Sequence, residues 1–301
     1  MFYRLIVGLL SLLSLLPLGV LYGLALCLFI LLYYITGYRR AVVDENLRNS
    51  FPEKAEAELK GIAKKYYRYL ADMVVETLKT LTIPKHEIIK RVEGVNTELV
   101  KDALNSGRSV IGILGHYGNW EMCAQGFSLL FEKRRIIVYK PIHNPYVDQI
   151  MFKLRSRFGA TLVSMKNIGR QLIAYRDEPT ITVLVGDQTP AFNELNYFTN
   201  FLNQPTGVYL GAEKLAKMTN SLVVFCDIRL KKRGYYTCTF VPLFDEPTAT
   251  APYEITKAHV AYLEKVICQQ PEYWLWSHRR WKHKPEDVRK AGLSNSAPPN
   301  I

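Results

Sequence analysis

The sequence has few cysteines and lacks the motifs of zinc-dependent and serine-dependent enzymes. Its five cysteines among 301 residues include no CxxC pair. This argues against both a disulfide framework and a thiolate zinc site, and it fits a reducing compartment. The chain also contains no HExxH motif for zinc and no G-x-S-x-G motif for a serine nucleophile. The sequence therefore predicts neither a metal site nor a protein nucleophile.

Charge is absent from one long stretch near the N terminus. No residue from Leu5 to Tyr38 is charged, and a helix needs about 20 apolar residues to cross a bilayer. A cleaved signal peptide has a shorter apolar core, of about 7–15 residues. We therefore predict a membrane anchor over residues 1–40, kinked near Pro17, with a re-entrant hairpin as the alternative to a spanning helix. The arginines that follow the run favour a cytoplasmic body.

The formal net charge of +12 indicates an anionic partner. Nucleic acid, an anionic membrane surface or an acidic protein or lipid would each fit such a charge. Because the sequence predicts an anchor, membrane phosphates are the simplest partner and nucleic acid is not expected. The stretch WSHRRWKHK, residues 276–284, interleaves aromatic and basic side chains, and a phosphate contact or a solvated, partly packed surface would both explain it.

Short apolar runs alternate with helix-period segments from about Val95 onward. Strands are predicted at 109–114, 135–140, 160–165, 180–185, 221–230 and 235–243. Helices are predicted near 119–131, 145–157, 167–176, 206–218 and 253–269. This alternation predicts an α/β domain over residues 41–285, with a mixed, largely parallel sheet flanked by helices. Residues 286–301 are polar and proline-rich, and we expect a flexible tail.

Two polar residues follow two of the predicted strands. His116 comes after the run SVIGIL, and Asp187 comes after TITVLV. Ligands of open α/β sheets bind beyond the carboxyl ends of the strands. An imidazole there can act as a general base if a carboxylate holds its other ring nitrogen. Glu121, in the first turn of the next predicted helix, is our candidate for that carboxylate, although a local hydrogen bond of His116 and a helix-capping Glu121 would also fit the spacing.

Several motifs in a fixed order resemble a known enzyme family. GHYGNWE, residues 115–121, resembles the H-x4-D/E motif of the glycerolipid acyltransferase superfamily. Together with YKPIHNPYVD, RSRFGA, VGDQTP and PEYWLWSHRRWKHKP, it resembles more narrowly the bacterial lipid A biosynthesis acyltransferases that transfer lauroyl or myristoyl chains. The resemblance covers nearly the whole chain.

The resemblance implies a function and a location. Such enzymes move a fatty acyl chain from acyl carrier protein to a hydroxyl of a lipid A precursor, without a metal or an organic cofactor. The implied location is the bacterial inner membrane, with a single-pass anchor and a catalytic domain that faces the cytoplasm. The family pattern assigns His116 as general base and Glu121 as its orienting carboxylate.

The same resemblance implies substrate-binding residues. Asn119 lies inside the motif and is expected to shape the turn. Arg155 and Arg157 match a basic pair of the family, of which at least one would hold a lipid phosphate or stabilise the oxyanion. Asp187 matches an acidic residue that positions an arginine or the acceptor. Lys140 stands where the family often has arginine, which puts a bidentate contact there in doubt.

Three functions remain open at this point. The chain is expected to acylate a lipid A precursor, but a different glycolipid acceptor or an acyl-CoA donor would use the same motif. A non-catalytic membrane scaffold that retains the fold is the third alternative.

Overall fold

The computed structural model describes residues 2–290 and shows an α/β fold. The helices are α1 (Phe2–Leu15), α2 (Leu18–Ile30), α3 (Arg40–Ser50), α4 (Glu56–Lys79), α5 (Lys85–Arg91), α6 (Thr97–Asn105), α7 (Trp120–Leu130), α8 (Pro145–Ser156), α9 (Ile168–Ala174), α10 (Gly211–Thr219), α11 (Glu254–Gln269) and α12 (Pro285–Lys290). The strands are β1 (Val92–Val95), β2 (Val110–Leu114), β3 (Arg134–Tyr139), β4 (Thr161–Ser164), β5 (Thr180–Val185), β6 (Phe198–Phe201), β7 (Gln204–Gly207), β8 (Leu222–Lys232) and β9 (Tyr235–Phe244).

Seven strands form one sheet in the order β1-β9-β8-β2-β5-β3-β4. The pairs are parallel except β8 with β9, which is antiparallel. The predicted mixed, largely parallel sheet flanked by helices is thereby confirmed. Strands β6 and β7 form a separate antiparallel hairpin. A helix was predicted from residue 206, but α10 begins at Gly211, because the hairpin occupies the residues before it.

The central strands are buried on both faces, which explains their continuous apolar sequences. Helix α7 packs on one face, over a core that includes Val183, Val224 and Phe240. Helices α9 and α10 pack on the other, over a core that includes Ile113 and Val223. The carboxyl ends of β2 and β5 therefore lie at one edge, between two helical layers.

The apolar N-terminal segment forms two helices that pack against α4. Helix α1 ends at Leu15 and α2 begins at Leu18, so the chain breaks at Pro17, where a proline was expected to kink it. Helix α2 buries Leu21, Ala25 and Phe29 at four-residue spacing, in the core that it shares with α4. The Lys79 ammonium donates to the carbonyl oxygens of Ser14 and Leu16, both at 2.9 Å, and so caps the end of α1.

One helical segment, Leu18–Ile35, is long and apolar enough to cross a membrane by length and composition. It joins α2 to a π-helical turn at Leu31–Ile35. Its face away from α4 exposes large apolar side chains, among them Leu24, Leu26 and Ile30. At the other end of the chain, α12 covers the start of the predicted tail, and residues 291–301 lie outside the described part.

Candidate active site

His116 and Asp187 meet at the carboxyl ends of two adjacent parallel strands. Leu114 pairs with Val185 at the ends of β2 and β5, and each site residue lies two positions further along. The imidazole Nδ1 lies 2.6 Å from Asp187 Oδ1. The backbone N–H of His116 and the indole Nε1–H of Trp274 both donate to Oδ2, each at 2.7 Å. The carboxylate thus fixes both the ring and the main chain of His116.

The environment of Asp187 keeps this carboxylate ionised. Burial raises its pKa, but the attraction of His116 and the hydrogen bonds from His116 and Trp274 outweigh burial and lower the pKa to about 2. An ionised carboxylate only accepts hydrogen bonds, so Nδ1 carries the proton and donates it to Oδ1. In the neutral imidazole, Nε2 then carries the lone pair that a general base requires.

The lone pair of Nε2 faces a cavity. His116 lines this cavity, and the side-chain amide of Gln188 donates to Nε2 at 3.2 Å. The Trp120 ring packs edge-to-face against the imidazole, with 4.8 Å between centroids. A substrate hydroxyl that displaces the Gln188 amide would therefore meet the basic nitrogen directly.

Glu121 does not contact His116, which corrects the predicted hydrogen bond between them. Its carboxylate instead accepts two hydrogen bonds from Arg155, at 3.0 Å from Nε and 2.5 Å from Nη2, and one from the Trp120 indole at 3.2 Å. The reason is geometric. Asp187 reaches His116 across the register of parallel strands, whereas the first turn of α7 directs Glu121 toward α8. Glu121 and Arg155 still line the same cavity as His116.

The predicted pair of arginines is separated by the end of α8. Arg155 is largely buried in the cavity wall, where it pairs with Glu121. Arg157 lies outside that wall, and its Nη1 donates to the carbonyl oxygens of Thr80 at 2.8 Å and Ile83 at 2.6 Å. Arg157 thus caps the chain that follows α4. We expected at least one of the two arginines to hold a lipid phosphate or the oxyanion, and the structure brings Arg155 to the cavity.

Asn119 is the N-cap residue of α7, where the helix was expected to begin, and it is fully buried. Its Oδ1 accepts from the backbone N–H of Met122 at 2.9 Å, which is N-cap geometry. Its amide donates to buried Glu76 at 2.7 Å. Gly118 precedes it with φ of 61°, and a Cβ there would lie 2.5 Å from Ile228, so only glycine fits. These contacts give Asn119 a role in shaping the turn rather than a direct contact with the cavity.

Glu76 connects this turn to the apolar N-terminal helix. Its carboxylate accepts hydrogen bonds from Tyr22 of α2 at 2.8 Å, from Tyr236 of β9 at 2.6 Å and from Asn119. Burial raises the pKa of Glu76, while the three donors favour the ionised form. One buried carboxyl group therefore fixes the start of α7 relative to α2.

The cavity extends from His116 into the apolar core between α7 and the sheet. Its volume is about 510 Å³, within the usual range for small-molecule pockets. The polar residues of its wall include His116, Glu121, Arg155 and Gln188. Deeper side chains are apolar or free thiols, including Cys123, Phe127, Ile137, Val183, Cys226, Ile228 and Cys238. The arrangement suits a long apolar chain with its reactive end at His116.

No group of three or more His, Cys, Asp or Glu side chains within residues 2–290 could hold a metal ion. Trp274 and Gln188 were not predicted as site residues, although both lie in motifs that the sequence singled out. Trp274 belongs to the segment before WSHRRWKHK, and its contact with Asp187 spans 87 positions. No local pattern in the sequence reveals such a contact.

The chain matches the family model described as bacterial lipid A biosynthesis acyltransferase over residues 2–283. It is 25% identical to the lipid A biosynthesis lauroyltransferase of Escherichia coli (strain K12), over 94% of this chain and 92% of that protein. It is 26% identical to a lipid A biosynthesis acyltransferase of Haemophilus influenzae, over 83% of this chain and 79% of that protein. It is 21% identical to the lipid A biosynthesis palmitoleoyltransferase of Escherichia coli (strain K12), over 82% of this chain and 80% of that protein.

Proposed function

Since the chain belongs to the bacterial lipid A biosynthesis acyltransferase family and is therefore an acyltransferase, we propose that it transfers a fatty acyl chain from acyl carrier protein to a hydroxyl of a lipid A precursor, with His116 as the general base. The observation that carries this proposal is the His116–Asp187 pair, whose Nε2 faces an apolar cavity of about 510 Å³. His116 and the apolar side chains that would contact the acyl chain line the same cavity.

The reaction begins when Nε2 removes the proton of the acceptor hydroxyl. The oxygen attacks the thioester carbonyl carbon, and a tetrahedral oxyanion forms. Asp187, held ionised, stabilises the imidazolium that His116 becomes, as the orienting carboxylate of a catalytic triad does. When the intermediate collapses, the carbon–sulfur bond breaks and the leaving thiolate takes the proton back from Nε2. The products are an ester and a free carrier thiol.

The oxyanion needs hydrogen-bond donors, and Arg155 is our candidate. Glu121 engages its Nε and Nη2 atoms, so the fork is held rigid while its other N–H groups remain for a ligand in the cavity. Burial lowers the pKa of Arg155, but the hydrogen bonds and the charge of Glu121 raise it by more. The pKa therefore lies above its ordinary value, and the guanidinium stays charged. One such donor is worth about 3–4 kcal/mol in a transition state. Glu121 thus acts on the reaction through Arg155.

We also propose where the enzyme works. Residues 1–40 anchor it to the bacterial inner membrane, because α1 and α2 expose a continuous set of large apolar side chains, including Leu9, Leu12, Leu24 and Ile30. The body, residues 41–285, faces the cytoplasm, where arginines follow the apolar run. The net charge of +12 favours docking of an acidic carrier protein, which makes the rate sensitive to salt.

The test is acyl transfer by the full chain in detergent micelles. The purified protein is mixed with a lipid A precursor and with either acyl carrier protein thioester or acyl-CoA, and mass spectrometry records the added acyl mass. We expect product with the carrier thioester, and none from folded His116→Ala protein. Wild-type turnover by His116→Ala would refute the mechanism. Product from acyl-CoA alone would refute the carrier donor, and lipid profiling of a deletion strain identifies any other glycolipid acceptor.

A further inference from the structure

Arg280 is a buried arginine with almost no protein partners. Its side chain is 2% exposed, and its Nη2 donates to the carbonyl oxygen of Gly207 at 2.7 Å. Within residues 2–290, no acceptor lies within hydrogen-bond distance of Nε or Nη1. Burial of an unpaired guanidinium is costly. The neighbouring Arg279 is exposed, so the two arginines of this motif occupy opposite environments.

The guanidinium lines a small void behind the His116–Asp187 pair. This void, of about 10 Å³, is also lined by Asp187, Gly186 and His259, and otherwise by apolar side chains. His259 is 3% exposed, and its Nε2 has no partner among the described residues. A space of this size, with polar groups on two or three sides, is what one ordered water requires. Arg280, His259 and Asp187 thus line one water-sized space, and His259 also lines the main cavity.

The charges around the void leave Arg280 as the cation behind Asp187. Burial lowers the pKa of His259 and of nearby His278 to about 4 in each case, so both are neutral at pH 7. Burial also lowers the pKa of Arg280 to about 10, while the charges of Asp187 and Tyr209 act in the opposite direction. The guanidinium therefore remains charged at neutral pH. Asp187 Oδ1 accepts one hydrogen bond, from His116, and can accept another.

We infer that Arg280 is a positioning residue for the His116–Asp187 pair and acts through one water held between Arg280, Asp187 and His259. This inference rests on the proposed function, because it concerns how that pair takes a proton. The positive charge holds Asp187 as an anion from the side opposite His116. The charge of Arg280 also disfavours a second cation nearby, so the His116 imidazole stays neutral, with Nε2 unprotonated, down to a lower pH. Arg280 touches no substrate.

The test compares Arg280→Met with Arg279→Met in the full chain. Methionine is of similar length and apolar, and a buried cation can often be replaced in this way without loss of folding. The pH dependence of kcat/KM reports protonation of the free enzyme. For Arg280→Met we expect the midpoint of the acidic limb to rise by about one pH unit. Activity one unit below the wild-type midpoint should fall about tenfold, and activity two units above it should stay within about twofold.

The matched variants separate charge from structure. Arg279→Met and Arg280→Lys should both follow the wild-type profile, since the first removes an exposed charge and the second keeps the buried one. Arg280→Gln replaces the methionine variant if that protein fails to fold. An unshifted profile in either neutral variant, an equal loss at every pH, or an equal shift in Arg279→Met would overturn the inference.

The His116→Ala protein, assayed beside these variants, distinguishes the two proposals. If it is inactive while Arg280→Met keeps the wild-type profile, only the role of Arg280 is refuted. If it turns over at the wild-type rate, the proposed mechanism itself fails.

Discussion

The substitution Asp187→Asn tests which carboxylate serves His116. In the structure Nδ1 donates to Asp187 Oδ1 over 2.6 Å, while Glu121 pairs with Arg155. An asparagine amide at position 187 can donate to Nδ1, which would move the ring proton to Nε2. The nitrogen that faces the cavity could then no longer accept a proton from the acceptor hydroxyl.

The expected loss can be worked from the carboxylate. Burial raises the pKa of Asp187, yet the attraction of His116 and the hydrogen bonds from His116 and Trp274 lower it to about 2, so a stable anion lies beside the imidazole. Asparagine carries no charge, so it cannot stabilise the imidazolium that forms when His116 takes the proton. With the imidazolium no longer stabilised and the ring proton on the wrong nitrogen, the loss in kcat should approach the roughly 10⁴-fold seen when a catalytic triad loses its aspartate charge.

The assay measures kcat and kcat/KM for acyl transfer from pH 5 to 9, with circular dichroism to verify folding. Glu121→Gln is the matched control, since it removes one carboxylate charge from the same cavity without touching the imidazole. It should lower kcat through Arg155, but by less than Asp187→Asn does, because Nδ1 keeps its carboxylate partner. Activity of Asp187→Asn within fivefold of wild type, or a loss in Glu121→Gln as large as that in Asp187→Asn, would refute the assignment of Asp187 as the partner of His116.

Two further predictions concern residues at the edges of the site. Arg157→Ala removes the two hydrogen bonds to Thr80 and Ile83, so thermal denaturation should show a loss of about 2–3 kcal/mol, with kcat/KM within twofold of wild type. An activity loss as large as that of Arg155→Ala in a folded protein would restore the predicted substrate role. Cys238→Phe places a larger side chain in the apolar part of the cavity. In a competition between acyl thioesters of different length, the variant should favour shorter acyl chains by about fourfold for each methylene that no longer fits. The control Cys268→Phe, at an exposed position, should not change the preference.

The strands most readily predicted from sequence are the central ones. Strands β2, β3, β5 and β8 coincide with apolar runs, since helices cover them from both sides, whereas β9 shows an alternation of buried and partly exposed side chains. Strand β1 was missed because Glu93 and Gly94 interrupt it at the edge of the sheet. Strand β7 was missed because Pro205 favours a turn, although an edge hairpin tolerates proline.

The site residues were located more reliably than their contacts. His116 and Asp187 could both be placed at strand ends, but which carboxylate meets the imidazole depends on strand order, which the sequence does not state. The separation of Arg155 and Arg157 was open to prediction, since residues two apart on a helix face different directions. The contact from Trp274 to Asp187 depends on how the C-terminal segment returns across the sheet, and no local pattern encodes that path.

Tyr22 of the apolar helix and Asn119 at the start of α7 share the carboxylate of Glu76. A protein without its first 40 residues would lose the hydrogen bond from Tyr22 to Glu76 as well as its apolar segment. The buried carboxyl group would then keep only Tyr236 and Asn119 as donors. Glu76 thus connects the apolar N-terminal segment directly to the turn that begins α7. Replacement of α2 by an unrelated apolar sequence would therefore also require a new hydrogen-bond donor for Glu76.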